Sequence, residues 1–334
     1  MNQVTHRSFE SDAERLRYWQ VAAARSTAGL IDDARDGLLN RPRSMPSKYF
    51  NDARGTQLFD AICATPEYYP ARTEAALLAE HAAEIIDIAR PAHIVEFGSG
   101  SSHKARYLLD ACEAQRHLCA YWPFDVNVET IVASGQVMVT DYPWLGINGL
   151  VGDYQAGLRH LPDMSGRRLF TLLGGTIGDF TLSRAIRFLI DVRQRMRTGD
   201  WLLLSADRDK DPEVLHAAYN DGAGLTARFN LNLLQILNWE LQADFDTADY
   251  RHEAYYSTAF NQIEMYLAVS APQQVRLGAL NCTIELEQGE RILTGISRKF
   301  TRESLLNLFQ AVRFSEVRHY EPDNGYYSLV LLRL

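Results

Sequence analysis

The stretch HIVEFGSGSSHK, residues 93–104, is a β-branched and apolar run that stops at two glycines and passes into the amphipathic segment SSHKARYLLDACEA. It predicts a strand, a glycine turn and a helix. Glycine lets the backbone come close to a ligand, and a helix N-terminus favours polar or anionic groups, so Gly98 and Gly100 mark a candidate binding loop. The alternative at these two positions is a simple tight turn. The same alternation continues downstream. LCAYWPFDV (118–126), INGLVGDY (147–154), RRLFTLLGGTIGDF (167–180) and DWLLLSAD (200–207) read as strands, separated by the helical NVETIVASGQVMVTDY (127–142) and LSRAIRFLIDVRQRM (182–196). Strand and helix in alternation predict an α/β chain, a doubly wound parallel sheet with helices on both faces.

Outside this block the pattern changes. Residues 11–39 carry apolar residues at helical spacing and no proline, which predicts a helix that ends before Pro42 and Pro46. Residues 55–64 read as a short helix, TPEYYPARTE (65–74) as an aromatic-rich loop, and Thr73 as the cap of a helix through about Arg90. Residues 208–245 read as largely helical and 250–300 as antiparallel strands, with a hairpin-like turn at Gln288–Gly289–Glu290. The end returns to a helix, ESLLNLFQAV (303–312), and two strands, VRHYEPD (317–323) and YYSLVLLRL (326–334). The expected division is a doubly wound domain at 74–207 plus 299–334 and a second domain from 1–73 plus 208–298.

Composition narrows the function. The 334 residues carry a net charge of −8 without a basic block, which argues against a nucleic-acid partner. No apolar run reaches the roughly 18–20 residues of a membrane helix, and the N-terminus has no apolar signal-peptide core. Cys63, Cys112, Cys119 and Cys282 form no C-x-x-C pair and have no close zinc-ligand spacing with histidine, so reduced thiols and no metal site are expected. The expectation is a cytoplasmic protein that handles small molecules; its oligomeric state is open, and a monomer is compatible with everything above.

The ligand can be read more closely. A dinucleotide loop wants G-x-G-x-x-G, but the third glycine position here is His103, which disfavours NAD. Glu96 precedes the glycines, and Asp125 ends the second strand, where an acidic side chain grips a ribose diol. S-Adenosyl-L-methionine has that ribose and no phosphate. Asp153 ends the third strand and is placed to meet an adenine amino group. The competing readings make Asp125 a helix cap and Asp153 a turn residue. All of them stand at successive strand C-termini, where open α/β sheets bind ligands, and this favours the cofactor. In doubly wound methyltransferases the loop after the fourth strand faces the transferable methyl. Asp179 in that loop is either the partner of an acceptor nitrogen or the cap of the next helix.

PSKYFNDARGTQLFDAICATPEYYPARTE (46–74), VEFGSGSSHK (95–104), LLGGTIGDF (172–180), AAYND (217–221), FNLNLLQILNWEL (229–241), IEMYL (263–267) and TGISRKF (294–300) follow one another in order. Together they resemble the histidine-specific, S-adenosylmethionine-dependent methyltransferase family, whose reaction places methyl groups on the α-nitrogen of histidine. The resemblance covers nearly the whole chain. It implies a class I methyltransferase domain with an inserted α+β substrate-binding domain. It also implies cofactor contacts at Gly98, Lys104, Asp125, Asp153 and Tyr154. Tyr68 and Tyr219 become substrate-binding tyrosines, the second for the carboxylate. Phe229 and Met265 become pocket-lining residues and Ser297 an imidazole contact.

Three positions depart from that family. Asn51 stands for a tyrosine, Asp179 for the asparagine that holds the amine, and Gly295 for the glutamate that binds the imidazole. Losing that acceptor should cost ~1–3 kcal/mol for histidine, and a glycine suits a bulkier or less polar side chain such as an indole. Asp179 adds a negative charge that would favour a cationic nitrogen and accept its proton. Tyr68 would stabilise the methylated nitrogen with its ring face. The expected enzyme is therefore an amino-acid N-methyltransferase with an altered side-chain pocket. Its alternatives are transfer to another amine or oxygen, and a non-catalytic S-adenosylmethionine-binding protein.

Overall fold

The computed structural model describes residues 4–7, 15–23, 29–50 and 52–334, with residues 4–7 as backbone only. In chain order the strands are β1 (Val4–Arg7), β2 (Leu16–Val21), β3 (His93–Phe97), β4 (Ala120–Asp125), β5 (Gly146–Val151), β6 (Arg168–Leu172) and β7 (Trp201–Asp207). There follow β8 (Tyr250–Ser257), β9 (Gln262–Val269), β10 (Gln273–Leu277), β11 (Cys282–Leu286), β12 (Arg291–Arg298), β13 (Ser315–Tyr320) and β14 (Tyr327–Arg333). They belong to two compact units, Met1–Thr27 with Pro70–Arg208 and Phe300–Leu334, and Ala28–Tyr69 with Asp209–Lys299.

The first unit is built on one sheet in the order β1-β2-β5-β4-β3-β6-β7-β14-β13. Strands β2 to β7 are mutually parallel, while β14 runs antiparallel to β7 and to β13. The chain leaves β3 towards β4 and β5 in one direction and towards β6 and β7 in the other. The reversal point lies between β3 and β6, and open sheets of this kind bind ligands outside the strand ends there. This order, with its reversed β14, is the class I methyltransferase fold. Successive residues of a strand face opposite sides, so each strand feeds two cores. Leu202, Leu204 and Ala206 of β7 join a core closed by the helices Leu182–Arg195 and Arg302–Ala311. Leu203 faces the other core, closed by the helices Tyr69–Ala89, His103–Ala114 and Val128–Asp141.

The second unit pairs a sheet in the order β12-β9-β8 and a β10-β11 ladder with the helix Leu225–Glu240. Residues 43–45 run beside β12: Leu293 donates to the Arg43 carbonyl at 2.9 Å and Met45 donates to the Leu293 carbonyl at 2.8 Å. This ladder ties the N-terminal part of the unit to the part inserted after β7.

Four expectations need correction. Of the helix expected over 11–39, residues 8–14 and 24–28 lie outside the described residues, Leu16–Val21 is a strand, and only Leu30–Leu38 is helical. Leu16–Val21 lies parallel to β5 and Trp19 stacks on Trp122 with ring centroids 5.4 Å apart, so tertiary pairing overrides the local helical period. Residues 16–21 consequently belong to the large sheet, not with the second domain expected over 1–73. The helix capped at Thr73 in the reading begins instead at Tyr69, with Pro70 in its first turn, where a missing N–H costs nothing. The turn at 288–290 does not make a hairpin. It joins β11 to β12, which lie in different sheets, and Gly289, at φ +81°, donates to the Val269 carbonyl at 2.9 Å.

Candidate functional site

The glycine loop sits at the reversal point. Gly98 has φ +66° and Gly100 φ +49°, left-handed backbone that glycine adopts without steric cost. Gly98 donates to the Phe124 carbonyl at 2.8 Å, and Gly100 donates to Asp125 Oδ2 at 3.0 Å, so the loop is stitched to the end of β4. A Cβ on Gly98 would lie 3.5 Å from the Tyr154 ring. Asp125 is not the cap of the following helix: Asn127 holds that place, accepting from Thr130 N at 2.9 Å. Asp153 does cap a one-turn helix, accepting from Gln155 N at 2.8 Å, which leaves its other oxygen for a ligand. Asp179 lies in the short turn Thr176–Asp179 and does not cap the next helix, whose N-cap is Thr181.

Lys104 reaches under the loop after β6. Its Nζ lies 3.0 Å from Glu74 Oε2 and would be 2.7 Å from a Cβ on Gly174, while Gly174 N donates to Glu74 Oε1 at 2.6 Å. Glu74 is buried and thus ties the Lys104 helix to the β6 loop. Sequence reasoning passed over it because it lies far along the chain, although it closes the quoted PEYYPARTE segment.

The site's electrostatics separate a cationic cofactor from a phosphate-bearing one. Burial and then the carboxylates of Asp179, Asp153 and Asp125 push the Tyr154 hydroxyl well above its ordinary value, so all three charges gather about one ring. Such a field repels a pyrophosphate and suits a sulfonium and an ammonium. Ser99 Oγ, in the same loop, is buried without a hydrogen-bond partner, a polar atom awaiting a ligand. The residues present fit S-adenosylmethionine. Asp125 and Asp153 would hold its ribose and adenine, and the glycine loop and Lys104 its amino-acid end. When bound, the cofactor supplies an electrophilic methyl group.

Behind this cradle Glu96 is fully buried and hydrogen-bonded by Tyr121, whose hydroxyl also contacts Ser102 Oγ at 3.0 Å. Burial raises its carboxyl to about 7 from 4.5, with Glu74 and Asp125 adding to the rise and Tyr121 and Lys104 opposing it. A raised carboxyl stabilises the fold when protonated. That contribution is complete below about pH 4.5 and is lost as pH rises towards about 7. Denaturant titrations from pH 5 to pH 8 should show the wild type losing up to ~3 kcal/mol relative to Glu96→Gln. Parallel curves would mean that Glu96 stays ionised throughout.

Of the residues that the resemblance assigns to the acceptor, Tyr68, Tyr219, Phe229, Met265, Gly295 and Ser297 lie in the second unit, and Asp179 in the first. The rings of Phe50 and Phe229 are 4.6 Å apart, Phe59 lies 6.0 Å from both Phe229 and Tyr68, and Tyr68 meets Tyr219 edge-on at 6.0 Å. Gly295 pairs with Met265 across β12 and β9. The space over Gly295 is apolar and filled by Met265. A Cβ there would be 2.8 Å from Met265 Cε and 3.7 Å from the Phe50 ring. The opening expected at Gly295 is therefore not there: the Met265 thioether fills it, and room for a larger group needs that flexible side chain to move. Tyr219 Oη donates to Ser297 Oγ at 2.9 Å, and Lys299 Nζ donates to both at 2.9 Å. Sequence reasoning missed Phe50, Phe59 and Lys299. The signal for the last was its place two residues after Ser297, just past the end of β12. Asn51 lies outside the described residues.

Fold and cradle together define a class I S-adenosylmethionine-dependent methyltransferase. The model of the SAM-dependent histidine-specific methyltransferases matches residues 30–334. The chain is 40% identical to the histidine N-alpha-methyltransferase of Mycobacterium tuberculosis over 90% of its own length and 93% of the relative's. It is 41% identical to the enzyme of that name from Mycolicibacterium smegmatis, over 86% and 89%. A more distant relative is the 4-dimethylallyltryptophan N-methyltransferase of Aspergillus fumigatus, 25% identical over 91% and 94%. The chain belongs to the histidine-specific methyltransferase family. Among the described residues, no helix is long and apolar enough to cross a membrane.

Proposed function

We propose that the chain methylates the α-amino group of an amino acid. The cofactor is bound by the first unit and the acceptor by the aromatic cluster of the second, with Tyr219 taking the carboxylate. In-line methyl transfer is chiefly a matter of positioning, and the amine attacks only when neutral. Asp179 or a water beside it takes the proton, and the Tyr68 ring face stabilises the charged product. A monomer acting in the cytoplasm on small molecules fits this reading.

The observation that carries it is the coincidence of the family's acceptor residues in one cluster with a glycine where the imidazole acceptor should be. With Met265 Cε and Phe50 over Gly295, the side-chain pocket offers apolar contact instead of a carboxylate. That favours an aromatic amino acid such as tryptophan over histidine, and a relative named for a tryptophan derivative supports the same direction. Mass spectrometry of the protein incubated with S-adenosylmethionine and a panel of amino acids and biogenic amines tests the class. Methylation of amines alone would overturn it. Gly295→Glu should raise kcat/KM for histidine ~10–100-fold relative to tryptophan, since a restored acceptor is worth ~1–3 kcal/mol and Met265 can swing aside. An unchanged ratio would remove Gly295 from the account of specificity.

A further inference from the structure

The helix Pro212–Tyr219 ends at the tyrosine that the family resemblance gives to the acceptor's carboxylate. The last carbonyls of a helix have no partner inside it and must find one elsewhere. The Tyr219 carbonyl finds His252 Nε2, on β8, at 2.9 Å. The other ring nitrogen, Nδ1, lies 2.9 Å from Asn230 Nδ2 on the helix Leu225–Glu240. Asn230 is fully buried. Its amide also meets the Tyr266 carbonyl of β9 at 2.9 Å and Thr294 Oγ1 of β12 at 2.6 Å. All of these residues belong to the second unit.

The carbonyls at the two ends of this chain set the direction of every bond in it. A carbonyl only accepts, so the Asn230 group at Tyr266 is the amide nitrogen, and its second N–H points at His252 Nδ1. Nδ1 therefore accepts and carries no proton. Nε2 carries one and gives it to the Tyr219 carbonyl, which makes His252 a neutral ring in a single tautomer. Burial, the largest influence on the ring, favours the same state against the Tyr219 carbonyl and the carboxylates of Asp221 and Glu253. Asn230 Oδ1 in turn takes the Thr294 hydroxyl proton. Thr294 stands at the register shift between Leu293 and Gly295, where β12 falls out of step with β9. The bonds thus run without a gap from the strand beside Gly295 to the backbone of Tyr219. A buried network with every member satisfied is rigid, because no member can turn without stranding another.

We infer that His252 is a positioning residue for methyl transfer: as a neutral ring with its proton on Nε2, it locks the Tyr219 backbone to Asn230 and, through Thr294, to the strand beside Gly295. It thereby holds the carboxylate end and the side-chain end of the acceptor site at a fixed spacing. This rests on the amino-acid reading above, which assigns those two ends, and deepens it. His252 acts through Tyr219 and not on the acceptor itself. Asn220 Nδ2, which donates to the Ala254 carbonyl at 3.0 Å, ties the same helix end to β8 independently. Removing His252 should therefore loosen Tyr219 without releasing the helix.

The test uses the full-length protein, S-adenosylmethionine, and histidine and tryptophan as acceptors. His252→Leu should raise KM for the amino acid ~10-fold, about 1.4 kcal/mol, with kcat and the S-adenosylmethionine Kd within ~2-fold of the wild type. His252→Gln, whose amide N–H can still reach the Tyr219 carbonyl, should recover most of that rise. Thr294→Val, nearly isosteric but without the hydroxyl, should raise KM in the same sense by less, and it keeps the test open if His252→Leu does not fold, which circular dichroism reports. Nitrogen–proton correlation spectra of histidine-labelled wild type, with His252→Gln identifying the signal, should show a neutral ring protonated on Nε2 at neutral pH. A KM left unchanged by His252→Leu despite a lower melting temperature, or a ring that carries its proton on Nδ1, overturns the inference. So does an unchanged KM in Thr294→Val should the leucine variant not fold. Failure of the wild type to methylate any amino acid would instead strike the amino-acid reading itself.

Discussion

Asp125→Ala is expected to weaken S-adenosylmethionine binding by about two to four orders of magnitude. A carboxylate that takes both hydroxyls of a ribose diol makes two charge-assisted hydrogen bonds, each worth ~1.5–3 kcal/mol. At about 1.4 kcal/mol per tenfold, their joint loss gives that range. A second effect adds to it. Asp125 accepts from Gly100 N at 3.0 Å and from Asn127 N at 3.0 Å, so the alanine also releases the glycine loop from the end of β4. Asp125→Asn separates the two contributions, because its amide oxygen can keep one loop bond while the charge is gone. Calorimetric titration with S-adenosylmethionine and with S-adenosyl-L-homocysteine reads both. A loss in the alanine variant that the asparagine variant fully recovers would assign the effect to loop geometry. An unchanged Kd in Asp125→Ala would remove Asp125 from the cofactor site.

The largest stability effect is expected at the start of β6. Arg168 and Asp200 form an ion pair with side chains only 1% and 2% exposed. Asp200 accepts from Arg168 Nε at 3.0 Å and from the backbone N–H groups of Arg168 at 2.9 Å and Arg197 at 2.7 Å. Arg168 also donates to the Arg195 carbonyl at 2.6 Å. Asp200→Ala strands a guanidinium and two amides away from water. Breaking a buried pair from one side costs ~3–5 kcal/mol, because the remaining charge is left without compensation. For a unit of this size that lowers the melting temperature by on the order of 10 °C. Thermal melts followed by circular dichroism check it. Replacing both partners with apolar residues, Arg168→Met with Asp200→Leu, should recover much of the loss. A melt within 2 °C of the wild type for Asp200→Ala would mean that Arg168 finds another acceptor or reaches water.

The cofactor half of the protein was the more legible half, and the reason is physical. Strand, glycine turn and helix are local events, and the candidate binding groups stand at the ends of consecutive strands. The period of the chain therefore locates Gly98, Asp125 and Asp153 before any tertiary contact is known. Even there the local reading stops short. Glu74 and Lys104 are distant in sequence and meet only because the helix Tyr69–Ala89 packs beside the helix His103–Ala114. The caps were also undecided locally. Asp125 and Asp179 suit an N-cap by residue type, but Asn127 and Thr181 hold those places.

The candidate acceptor residues of the second unit come from β9, β12, the helices Pro212–Tyr219 and Leu225–Glu240 and the 47–69 segment, and no local rule brings those together. The family resemblance supplied most of their names. It did not supply Lys299, which stands just past the end of β12 and meets the Ser297 and Tyr219 hydroxyls only in the folded unit.

By itself, the sequence determined the alternating α/β core and the glycine loop, because both are written in residue type and short-range period; the departure at Gly295 is visible only against the family resemblance. Tertiary structure alone decided that Leu16–Val21 is a strand, since its helical period lost to pairing with β5 and stacking on Trp122. It likewise decided that the turn at Gly289 separates two sheets, because Val269 of β9 captures its N–H. It decided, too, that the space over Gly295 is filled by a methionine methyl and that a buried ammonium stands beside the acceptor residues, contacts made across strands whose register no local pattern sets.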